Sequence, residues 1–278
     1  DAMIVVDYVG NADWPGRELT DFMKDAMGEE MGAVIGQMMN FSSVVWDKMA
    51  GRQAMAFSMK GMLGTQMVQI SELKEGVDAK TLFEGIDIEQ MNQAFTKLGV
   101  PMSLKLDRAI DKHGETEFHR LSMQSQDPQF AMMAAMSQTY MCAEGGHMFT
   151  VTAPTAAADL KELLDRVRAG QKIEHPHAQA MAKFGRTHNL GMSINVGGFK
   201  GVAQMLVMMA PEMAPVVEKI PDQLYMTTSY SIVGGDLHWK GDLPVARIAE
   251  IAAEVQKVMP KDGQEPGEAA PPPDEDFD

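Results

Sequence analysis

The sequence predicts an α+β fold in which antiparallel sheets of hairpins pack against amphipathic helices. Three observations point there. Short alternating apolar runs recur in pairs around glycine-containing loops, the grammar of β-hairpins. Helical patterns fall between hairpins, not between single strands as parallel βαβ units would require. The order strand, helical stretch, hairpin, helix can be read at both ends of the chain, which predicts a duplicated βαββα module.

Ile4-Val5-Val6-Asp7-Tyr8-Val9-Gly10 reads as the first strand with a glycine exit. Glu18 to Met39 is a Met-rich helical candidate. Ala54 to Met59 and Gln66 to Ser71 flank Gly61-Met62-Leu63-Gly64 as a hairpin, and Ala79 to Phe83 and Asp87 to Leu98 supply helix after it. Ser103 to Ile110 and Thr116 to Met123 flank a polar loop containing Gly114. Phe130 to Ser137 reads as a short helix. Thr139 to Ala143 and His147 to Thr152 flank Glu144-Gly145-Gly146, a further hairpin. Thr155 stands where an N-cap belongs, ahead of a helix with Leu160, Leu163, Leu164 and Val167 on one face and Gly170 as its stop. Ala178 to Phe184 is another short helix.

The stretch from Leu190 to Val258 is the best-defined unit. Met192, Ile194 and Val196 alternate on one face of a strand that ends at Gly197-Gly198. Lys200 to Glu218 reads as helix interrupted at Pro211 and Pro215, each of which removes a backbone donor. Leu224 to Val233 and Leu237 to Lys240 flank Gly234-Gly235-Asp236, and paired glycines accept the positive φ of a tight turn. Asp242 and Pro244 open a final helix whose Val245, Ile248, Ile251, Ala252, Val255 and Val258 form an apolar stripe expected to pack. The expected organisation is an N-terminal module over 1–100, middle hairpins and helices over 101–189, a C-terminal module over 190–259, and a tail over 260–278.

The chain has 278 residues and a formal net charge of −15, from 39 acidic against 24 basic side chains. No basic stripe stands against that balance, which excludes a general nucleic-acid binder, because neutralising phosphates needs clustered Lys and Arg. No apolar run approaches the ~20 residues of a membrane-spanning helix. The single cysteine, Cys142, rules out an intrachain disulfide and reads as a small core residue; His147 is the nearest base a thiol nucleophile could use. His175-Pro176-His177 has no acidic or cysteine partner in a fixed element and is a poor zinc site. Walker, His-Glu-x-x-His, Gly-x-Ser-x-Gly and paired Cys-x-x-Cys motifs are all absent, so no enzyme activity and no cofactor are expected.

Two features point to contact with something else. The tail carries Pro271-Pro272-Pro273 ahead of an acidic cluster containing Phe277, an extended-peptide anchor by composition. Methionine is unusually frequent, with 27 residues, and Met205, Met208 and Met209 cluster in the interrupted helix. The expectation is a non-catalytic secreted or cell-envelope protein, periplasmic or extracellular although cytosol also fits, with a structural or interaction role. It would meet a protein partner or assemble with itself through the tail. The alternatives are a carrier of an apolar ligand in a Met-lined groove and a Cu(I)-binding Met-rich protein, since thioethers are soft ligands.

Overall fold

Ten strands join into one antiparallel sheet. The computed structural model describes residues 2–9, 45, 47–60, 64–84, 86–97, 99–125, 127–128, 131, 138–171, 176–184 and 189–258, without the side chains of Lys60, Ala79, Val202, Met205, Leu206, Met209, Glu212 and Val258. The strands are β1 (Ile4–Val9), β2 (Met49–Lys60), β3 (Gly64–Leu73), β4 (Met102–His113), β5 (Thr116–Ser125), β6 (Thr139–Glu144), β7 (His147–Thr152), β8 (Leu190–Asn195), β9 (Tyr225–Val233) and β10 (Asp236–Asp242). Their order across the sheet is β10-β9-β8-β1-β2-β3-β7-β6-β5-β4. The helices are α1 (Ala79–Leu82), α2 (Ile88–Lys97), α3 (Ala156–Arg168), α4 (Pro176–Ala182), α5 (Lys200–Met209), α6 (Ala214–Lys219) and α7 (Val245–Val258).

β1 pairs with β8, with Ile4 opposite Ile194 and Val6 opposite Met192. On one side of that seam lie β1-β2-β3, continued by β7-β6-β5-β4, and on the other β8-β9-β10. On the second side, β8 and β9 are linked by a 3₁₀ turn at Val196–Phe199, then α5, a 3₁₀ turn at Pro211–Met213, and α6. The interruption expected at Pro211 is therefore observed. The helical candidates at Glu18 to Met39 and Phe130 to Ser137 lie wholly or mostly outside the described residues.

Strand side chains alternate between faces. The upper face carries Val68, Ile70, Tyr140, Cys142, Phe149, Val151 and Phe118, and α3 buries Ala156, Leu160 and Leu164 against them. Each Leu or Phe fully withdrawn from water contributes about 1.5–3 kcal/mol. The last turn of α3 is bolted to the hairpin ends: Arg168 donates to both Glu144 carboxylate oxygens (2.9 and 2.7 Å) and to the His113 carbonyl (3.0 Å). Gly170 ends the helix at φ +61°. Thr155 does not cap α3 as expected; its hydroxyl donates to the Asp159 carboxylate instead.

His177 of α4 fixes the other half of the same face. It is fully buried, with Nδ1 on the Ser193 hydroxyl (2.8 Å), Nε2 on the Ala2 carbonyl (2.8 Å), and the ring edge-on to Tyr225. The stripe of α7 departs from expectation: Val245, Ile248 and the preceding Leu243 are exposed. Amphipathic spacing shows that a helix has an apolar side, not that the same chain covers it.

Candidate functional site

The lower face of the sheet holds a hollow of about 280 Å³ between the strands and Phe83, Ile86 and Ile88. Its apolar wall includes Met49, Phe83, Ile86, Leu106, Met141 and Met148, and its polar wall is Gln53, Gln69, Thr139 and Thr150. A second hollow of about 510 Å³ shares Ile86, Ile88 and Leu106 with the first and adds Asp87 and Arg108.

Local chemistry builds the roof. The Asp78 carboxylate accepts from the backbone N–H groups of Lys80 and Thr81 while the Thr81 hydroxyl accepts from the Asp78 N–H, a capping box that starts α1. At the other end, the Lys48 ammonium donates to the carbonyls of Thr81, Leu82 (3.0 Å) and Glu84 (2.6 Å). A cation there satisfies the carbonyls a short helix leaves open. Together these hold Leu82 and Phe83 down among Met49, Leu73 and Met148.

The floor contains polar groups without partners. Gln53 Nε2, His119 Nε2 and Thr150 Oγ1 are buried and make no hydrogen bond among the described residues. His119 and Thr150 are only 5% and 8% exposed. Gln53 and Thr150 line the hollow directly. His119 stacks on Phe83 with ring centroids 4.2 Å apart, and it pairs across the strands with Met141, which also lines it. The His119 Nδ1 accepts from the Ala109 N–H (3.3 Å), so in the neutral ring Nε2 carries the hydrogen. Burial lowers the His119 pKa below its ordinary 6.5 and favours that neutral form. The Gln53 carbonyl already accepts from Gln69 (3.2 Å), which leaves its amide hydrogens. All three groups can therefore offer a donor, and each left unpaired costs about 1–3 kcal/mol.

Pro271, Pro272, Pro273 and Phe277 lie outside the described residues, as do the side chains of Met205 and Met209. Met208 is 73% exposed. The methionines that do meet at a hollow are Met49, Met141 and Met148, from β2, β6 and β7. The sequence shows Met141 and Met148 as a methionine cluster, read there as core filling, whereas Met49, His119, Gln53 and Thr150 were not singled out. The available signal was polar residues at inward strand positions, as in Met148-Phe149-Thr150-Val151.

Cys142 is fully buried under α3, which pushes its thiol up to about 12, far from a usable nucleophile. His147 is held by the Gly145 carbonyl. Among the described residues no three His, Cys, Asp or Glu side chains converge on a metal position. No helix among them is long and apolar enough to cross a membrane. Compared with protein-family models, curated proteins and solved structures, the chain matches none.

Proposed function

We propose that the protein is a non-catalytic carrier of a small apolar molecule bearing a hydrogen-bond-accepting oxygen, held in the hollow beneath α1. The observation that supports this reading is the meeting of two unpartnered buried donors, Gln53 and Thr150, with a methionine-lined apolar wall, and a third, His119, stacked behind Phe83. Buried polar groups are nearly always paired, and two exceptions lining one cavity ask for an acceptor from outside the chain. Thioether side chains repack around irregular ligands at little cost. At the ~30 Å³ that a water occupies in the liquid, the hollow holds about ten non-hydrogen atoms, at the small end of ligand sites.

A periplasmic or extracellular setting is part of the same reading, and the acidic balance with a single cysteine is compatible with it. The matching meanders β1-β2-β3 and β8-β9-β10 support descent from a duplicated module.

Calorimetric titration with octanoate and with its neutral methyl ester tests the site. One of the two should bind, and Thr150→Val, which removes a hydroxyl and keeps the shape, should weaken it about fivefold or more, the worth of one net hydrogen bond. Neither probe binding at millimolar concentration, or equal binding by the variant, would end the reading. A preference for the ester would assign the oxygen to a carbonyl rather than a carboxylate.

A further inference from the structure

The β9–β10 hairpin ends the sheet with its apolar side chains in water. Ile232, Leu237 and Trp239 are 65%, 70% and 59% exposed. They lie on one face, since Leu237 pairs with Ile232 and Trp239 with Tyr230. Asp236, His238 and Lys240 are exposed on the opposite face. Among the described residues no strand pairs with β10 on its outer side.

The outward backbone groups can be assigned. The Tyr230 carbonyl accepts from the Asn189 N–H and the Ile232 N–H donates to the Asn189 side chain, so both residues turn their main chain towards β8. Alternation then turns Ser231 and Val233 towards β10, where they bond to His238 and Asp236. The N–H and C=O groups of Leu237 and Trp239 are left facing outward. Trp239 is already fixed: its indole N–H donates to the Thr228 hydroxyl (2.6 Å), and its ring occupies the space that a side chain at Gly241 would need. A held aromatic ring loses little rotamer freedom when it is covered.

We propose that this edge is closed by a second copy of the chain, β10 against β10 about a two-fold axis at His238. Three features of the strand agree on this register. The outward main-chain groups of Leu237 meet those of Trp239 in the second copy, and each such pair exchanges both hydrogen bonds. On one face Leu237 then stands opposite Trp239, an aliphatic–aromatic cross-strand pair. On the other, Asp236 stands opposite Lys240 in both directions, so the strand is complementary to itself in charge. Shifting the axis to Trp239 keeps the main-chain parity but sets Lys240 against His238 and Asp236 against Asp242, losing the complementarity. The pairing is isologous and closes after two copies, so it gives a dimer and not a fibre. It is independent of the ligand hollow, which lies towards the other end of the sheet. Seven residues of strand make a small interface, so the expected Kd is on the order of 10 µM.

Sedimentation velocity on the full chain from about 1 to 100 µM should show monomer passing to dimer. Asp236→Lys and Lys240→Asp should each weaken the dimer at least tenfold by opposing like charges, and the doubly exchanged protein should recover most of the loss. Both positions are exposed, and an unchanged thermal melt would confirm that the variants fold. Monomer at every concentration would overturn the proposal, as would a double variant no better than the single ones. So would a dimer lost on removing residues 259–278 but indifferent to the charge exchange, which would make the tail the contact.

Discussion

β4 and β10 are the two outermost strands of one sheet, and the chain treats them in opposite ways. Along β4 the Asn92 side chain of α2 accepts from the Leu104 N–H (2.6 Å) and donates to the Leu104 carbonyl (3.0 Å), standing in for a neighbouring strand. Further along, the register with β5 slips between Asp107 and Asp111, and Ala109 takes φ +49°. Lys105 and Arg120 clasp Asp107 between them. Charge, bulge and cover are the devices that stop a strand from recruiting another chain. β10 has neither bulge nor cover among the described residues: its register is unbroken, its apolar side chains stand in water, and its charged side chains complement one another across the proposed axis. Proteins that close one edge with care leave the other open for a reason, and here the open edge carries a self-complementary pattern.

The contrast can be broken or sharpened by substitution. The largest effect belongs to the covered half. Leu164→Ala, beneath α3, should cost about 2–5 kcal/mol in urea unfolding, because it leaves a cavity among Phe118, Phe149 and Val151. Leu237→Ala at the open edge should change the stability of the monomer by no more than about 0.5 kcal/mol. Equal losses would mean that the edge is not free. A smaller effect is expected from Asn92→Ala, about 1–2 kcal/mol for two backbone groups released at a partly exposed edge. It should also speed amide exchange at Leu104 and let β4 associate as β10 does.

The smallest effect is on pH dependence. His119 has a lowered pKa in the folded protein, so the unfolded chain takes up its proton first as the solution is acidified. Its contribution to stability is complete above about 6.5 and is lost as pH falls below that value. Asp107, Asp111 and Glu144 are held below their ordinary 3.8, 3.8 and 4.5 by their cationic partners, so their contributions disappear only in more acid solution. Stability measured by unfolding should therefore fall between pH 7.5 and 5.5 in the wild type, with exchange rising in β4 and β5 before β9 and β10. A flat profile, or one unchanged in His119→Gln, would remove His119 from the account.

Hairpins were legible in the sequence because their turns need glycine. Gly145, Gly146, Gly234 and Gly235 all take positive φ, and the strands on either side fall close to where alternation put them. β2 was read too short because Gly51 at φ +94° interrupts the pattern without ending the strand. The order of strands was not legible. β3 pairs with β7, and β4 is sent to the far edge, a choice made by which apolar faces α3 can cover together. The hollow stayed hidden for the same reason: Gln53, His119 and Thr150 come from β2, β5 and β7 and become neighbours only once that order is set. The open edge could have been found. Asp236-Leu237-His238-Trp239-Lys240 alternates cleanly, in the last strand among the described residues.

The pairing of β1 with β8 also fixes a timetable. Ile4 to Tyr8 are synthesised well before one of their two partners, Leu190 to Ile194. Until then the strand has β2 on one flank and nothing on the other, with Val5 and Val6 available to any passing chain. Contacts so distant in sequence make folding slow, and a slow interval with an unpaired apolar strand is when misassembly competes. His177, bonded at once to Ala2 and Ser193, joins the two segments only once both have been made and then holds β1 in place.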